Sequence, residues 1–142
     1  MWVILFLLLR APALPQTVAP PPSTLDYAFF KNKVQPLLAE KRPGHARCIT
    51  CHSTGTAFRL QRPPAGRATF TEEESRKNFE AASRMVLPGV PLKSRLLTMP
   101  LAHDAGGTEF HPGGKHWTTQ DDPEWKTIAE WVKNAAQSPP YR

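Results

Sequence analysis

Apolar residues recur along this 142-residue chain mostly at helical spacing, and no stretch alternates as a half-buried strand would. Tyr27, Phe30, Val34, Leu37 and Leu38 mark one face of a first helix, opening after Thr24 or Asp26. Pro36 falls inside that pattern and predicts a kink or division near Gln35, because its ring has no N–H and crowds the preceding turn. Thr71-Glu72-Glu73-Glu74 reads as a capping box, predicting a helix that reaches about Leu87 and is stopped by Pro88-Gly89. Ser94 to Leu97 predicts one further short turn. The last helix is the clearest: Asp121 or Asp122 caps it, Pro123 occupies its first turn, and Trp125, Ile128, Ala129 and Val132 share a face. The expected fold is all-α, with the first and last helices packed near each other.

The first nine residues, Met1 to Leu9, are apolar throughout but far too few to span a bilayer as a helix. They resemble the core of a signal peptide, and Ala11-Pro12-Ala13 supplies a cleavage-like site, although the usual basic start is missing. Residues 1–13 are therefore expected to be a leader, through which membrane association is also possible. Residues 14–25, with Pro15, Pro20, Pro21 and Pro22, are expected to form an extended, semi-rigid linker. Residues 26–142 then make one small domain. With 16 prolines and 8 glycines in the chain, its helices should be short and its loops long.

The chemistry is concentrated in Cys48-Ile49-Thr50-Cys51-His52. C-x-x-C-H is the attachment signature of c-type haem: two thiols three positions apart each form a thioether with a porphyrin vinyl group, and the histidine ligates the iron. These are the only two cysteines of the chain. A thioredoxin-type redox pair would want a βαβ setting, which is not visible here. Cys48, Cys51, His111 and His116 make a formal Cys₂His₂ set for zinc, but the gap from Cys51 to His111 is much longer than a finger uses. One haem c, held by Cys48, Cys51 and His52, is the expected cofactor.

Around that motif stand an F-F-x-x-x-V-x-P-L-L helix (Phe29 to Leu38), a P-G-x-P-x-x-S-x-L-L segment (Pro88 to Leu97), H-x-G-G (His111 to Gly114) and a closing W-x-x-I-x-x-W-V helix (Trp125 to Val132). In this order, over roughly residues 26–136, the chain resembles the planctomycete-type c-type cytochrome domains that are also frequent in acidobacteria. The resemblance implies a small cytochrome c-like helical domain wrapped around one covalent haem, carrying single electrons rather than catalysing a reaction. It also implies export to the periplasm or outer membrane face, where thioether attachment takes place in bacteria. Many relatives supply a methionine ligand from a Met-Pro-Pro element. Here Met99-Pro100-Leu101 is followed instead by a histidine-rich loop.

The sixth iron ligand is thus open among Met85, Met99, His45, His103, His111 and His116. His111 is expected first, because the glycines between it and His116 let the backbone approach a haem face closely. His116 and Met99 are the alternatives. The choice matters, since a methionine ligand raises the potential relative to two imidazoles and an open position would allow peroxidase-like chemistry. Lys and Arg total 18 against 12 Asp and Glu, a formal charge of +6. Arg59, Arg62 and Arg67 follow the motif and are expected to pair with a haem propionate or to form a docking patch for an acidic redox partner. An accessory subunit on a membrane electron-transfer complex is the alternative reading, and a small haem peroxidase a third. No nucleic-acid-binding module is recognisable.

Overall fold

The computed structural model describes residues 25–135. The expected leader, 1–13, lies outside the described residues, as does nearly all of the linker, including Thr24. The described residues are all-α. The order is α1 (Tyr27–Phe29), a π-turn (Phe30–Val34), α2 (Gln35–Ala39), α3 (Cys48–His52), α4 (Glu72–Ser83), α5 (Arg95–Thr98) and α6 (Pro123–Lys133). Short 3₁₀ turns lie at Pro91–Lys93 and His103–Ala105. The one isolated β-bridge among these residues pairs Leu101 with Trp117.

Asp26 starts the first helical unit, its carboxylate accepting from the Phe29 N–H at 3.0 Å. The division expected at Pro36 takes the form of a widened turn rather than a break: the Gln35 N–H reaches back to Phe30 O. Pro36 has no N–H to give and its ring needs room one turn back, which a π-turn provides. The unit packs on α6 through Phe30 and Trp131, whose rings lie 5.3 Å apart, with Phe79 of α4 at 5.5 Å from Phe30. All three helical units therefore meet in one aromatic cluster. Trp131 also donates its Nε1–H to Asp26 O at 2.9 Å, tying the end of the chain to its beginning. Val34, Leu38, Leu97, Leu101, Ile128 and Val132 complete the core, each worth about 1.5–3 kcal/mol when fully buried.

The capping box of α4 is complete: Thr71 accepts from the Glu74 N–H, and Glu74 accepts from the Thr71 N–H. The helix stops at Ser83, however, four residues short of the expected Leu87. Beyond it the backbone is claimed by a neighbouring segment: Met85 O accepts from the Leu96 N–H, and the Leu87 N–H donates to the fully buried Ser94 Oγ. That hydroxyl donates in turn toward Val90 O and Leu87 O, so the Pro-Gly-x-Pro-x-x-Ser segment folds as a knot around Ser94. The Gly89 N–H closes the knot on Val132 O of α6 at 2.8 Å. The final helix agrees with expectation, with Asp122 as its cap.

Candidate functional site

Cys48 to His52 form the short helix α3, with Arg47 in extended conformation before it. Cys48 is half-buried and Cys51 exposed, both as free thiols. Burial pushes the Cys48 thiol up to about 11. His52 is held by the residues just after it. Its Nδ1 lies 3.1 Å from Phe58 O and 3.2 Å from Thr56 Oγ1, and its carbonyl accepts from the Leu60 N–H at 2.7 Å. A carbonyl only accepts, so Nδ1 carries the proton and Nε2 keeps the lone pair. Burial lowers the pKa of this imidazole, with the nearby His111 adding to the effect, so the ring is held in its neutral, ligating form.

The second half of the site is the loop from Met99 to Trp117. Its ends are pinned by the His116 N–H on Pro100 O at 2.7 Å and the Ala102 N–H on Trp117 O at 2.8 Å. At Gly107 any Cβ would overlap the Leu101 carbonyl, so the loop closes only around a glycine there. Lys115 extends its ammonium into the loop, donating to Met99 O, Thr108 O and Thr108 Oγ1. His111 Nδ1 lies 2.6 Å from Gly114 O, so in this ring too Nε2 is the free, basic nitrogen. A Cβ at Gly113 would come to 3.0 Å from His111 Cε1, which explains a small residue beneath the imidazole.

The fold brings these halves together. The His52 and His111 rings lie 6.3 Å apart with an angle of 11° between their planes. Four of the chain's five histidines meet here: His116 stands 6.3 Å from His111, and His45 lies 4.8 Å from His116 with the rings tilted by 33°. His116 is buried, which together with His45 and His111 lowers its pKa. Arg42 ties this loop to α6. It donates to His116 O at 2.9 Å and pairs with Asp122 at 2.7 Å and Glu124 at 3.1 Å.

Other expected ligands find different places. Met99 closes α5 in helical conformation although a proline follows it, and its sulfur accepts from Thr108 Oγ1 at 3.6 Å. Met85, expected inside α4, lies beyond its end. His103 is exposed beside Asp104. Arg59 is exposed between buried Phe58 and Leu60. Arg62 turns back on α3, donating to Ser53 Oγ at 2.9 Å and Thr50 O at 3.3 Å.

Sequence reasoning missed Arg42, Lys115 and Asn78. The buried Asn78 accepts from the Gln61 N–H at 2.6 Å and donates to Gln61 O, holding the strap after His52 against α4. An asparagine on the inner face of an otherwise polar helix was the available signal.

Among the described residues, no group of three or more His, Cys, Asp or Glu is gathered to hold a metal ion. The formal Cys₂His₂ zinc set thus gains no support, since a structural zinc needs all four donors on one point. A porphyrin iron asks the protein for only two axial donors, and the donor set fits that demand. With metal–imidazole bonds of about 2.0–2.1 Å and about 1.2 Å more from each nitrogen to its ring centre, two rings sharing one metal stand about 6.4 Å apart. The His52–His111 separation of 6.3 Å fits that spacing, as does the 6.3 Å between His111 and His116, but only the first pair includes the histidine of the C-x-x-C-H motif. Compared with protein-family models, curated proteins and solved structures, the chain matches none.

Proposed function

We propose that this chain is a monohaem c-type cytochrome that carries or relays single electrons in an exported location. Cys48 and Cys51 hold haem c by thioethers, His52 is the proximal ligand and His111 the distal one. The observation that carries this reading is the pairing of His52 with His111 directly behind the C-x-x-C-H thiols, each ring with its Nδ1 committed to a backbone carbonyl. Such a bond fixes both the tautomer and the orientation of an iron-ligating imidazole. When bound, the haem supplies one-electron chemistry, while the chain's own residues bind it, orient it and limit water around it. Two imidazoles point to a lower potential than a methionine partner would give. They also disfavour a peroxidase, which needs an open sixth position.

The test is production together with a c-type maturation system, followed by a haem stain after denaturing electrophoresis. A near-infrared magnetic circular dichroism spectrum of the ferric protein then identifies the ligands. The expected results are covalent haem, lost in the Cys48→Ser/Cys51→Ser double variant, and a low-spin bis-imidazole band. A thioether band would move the distal ligand to methionine, and absence of covalent haem would overturn the reading.

A further inference from the structure

Beside α3 the surface opens into a cleft of 860 Å³. Ile49 and Thr50 line it, whereas Cys48, Cys51 and His52 do not. Five cations line it, Lys31, Lys41, Arg47, Arg62 and Arg67, and Glu40 is the one acidic residue among its described lining. From Lys41 to Thr71 the chain holds no Asp or Glu at all. Lys31 pairs with Glu72, whereas among the described residues Lys41, Arg47, Arg62 and Arg67 form no ion pair, Arg62 donating instead to Ser53 Oγ and Thr50 O.

We infer that the cleft docks an acidic polypeptide segment of a redox partner, an assignment of partner that rests on the electron-carrier reading above. Two observations select the occupant. Segments 1–24 and 136–142 contain no acidic residue, so neither of them offers the countercharge. Its lining mixes buried Ile49 and half-buried Phe70 with the buried polar side chains of Gln35 and Ser75, and apolar and amide surface inside a charged rim suits a peptide chain better than a phosphate backbone.

The experiment uses the haem-loaded protein and a fluorescein-labelled oligoglutamate peptide, titrated by fluorescence anisotropy at low and physiological ionic strength. The variant Lys41→Ser/Arg47→Ser/Arg67→Ser is compared with Arg84→Ser/Lys93→Ser/Lys133→Ser, which removes equal charge away from the cleft. The cleft variant is expected to lose about tenfold in affinity, as the sum of three exposed ion pairs implies, and the distant variant far less. Both should keep the wild-type haem spectrum. Equal losses would show attraction by net charge alone and overturn the proposal. Tighter cleft-dependent binding of a DNA duplex or of phosphatidylserine vesicles would also overturn it, by showing that the cleft reads phosphate. Anisotropy does not depend on the haem, so a preparation without covalent haem would sink the functional reading and leave the docking result to stand by itself.

Discussion

The two sides of the paired-histidine site are built by different means. His52 sits on a short helix whose following strap is fixed from within: Thr56, Phe58 and Leu60 bond back to it, and the buried Asn78 holds Gln61 against α4. His111 sits on a loop whose ends are secured at Pro100 and Trp117, while Phe110 at its tip is 73% exposed. Two cations, Lys115 inside the loop and Arg42 behind it, do most of the remaining work. One side is tied by neighbours in sequence and to α4, the other by bonds at the ends of a long loop. Under the cytochrome reading proposed above, such asymmetry would suit one permanent ligand and one displaceable ligand, because a loop is easier to displace than a short, well-tied helix.

The comparison is broken most severely by removing what both sides share. Trp131→Ala deletes the centre of the aromatic cluster and the bond to Asp26 O, and should cost about 3–5 kcal/mol in urea unfolding. Both sides should fail together, since α6 and the first helical unit frame them both.

His111→Ala should separate the two sides cleanly. Stability should change little, because the residue lies on an incompletely buried loop, while the ferrous haem protein should gain carbon monoxide binding that the wild type lacks. A variant that stays six-coordinate would transfer the distal role to His116, whose ring is the next imidazole along the cluster.

Arg42→Met should act on the distal side through its tether. Two partly buried carboxylates, Asp122 and Glu124, would lose their common partner and His116 O a donor, a loss of about 1.5–3 kcal/mol in urea unfolding. Carbon monoxide should then bind faster than in the wild type while the His52 side keeps its spectrum. An unchanged carbon monoxide rate would mean that Arg42 supports only the frame.

The smallest effect is expected at Glu72, which belongs to neither side. Bonds from Lys31 and Tyr27 lower its pKa, so the unfolded chain takes up a proton first as the pH falls. Its contribution is present above the ordinary glutamate range and disappears as the pH drops through that range and below it. Glu72→Gln should therefore narrow the difference in unfolding midpoint between neutral and acid pH, and leave the haem spectrum untouched.

Much of this molecule was legible in the order of its residues, wherever a signal acts over a few positions. The Thr71 capping box, the Asp122 cap before Pro123 and the helical division ahead of Pro36 are local contests between neighbouring groups, and all appear in the fold. The C-x-x-C-H spacing is local too. The end of α4 was misjudged because Ser94, distant along the chain, withdraws the backbone after Ser83 from the helix. Met99 stays helical ahead of Pro100, where a residue is usually extended, with Thr108 of the closing loop bonded to it.

The sequence by itself determined an all-α chain with a single C-x-x-C-H motif. Only the tertiary structure decided which of the later histidines faces His52, and it decided through long-range contacts that no local pattern encodes. The Arg42 bonds join segments far apart in the chain, and the Lys115 tether spans the whole loop from Met99. A side chain's neighbours across such gaps are fixed by the folded path as a whole, because a cationic head at the end of a flexible stem takes whichever acceptors the packed backbone brings within reach.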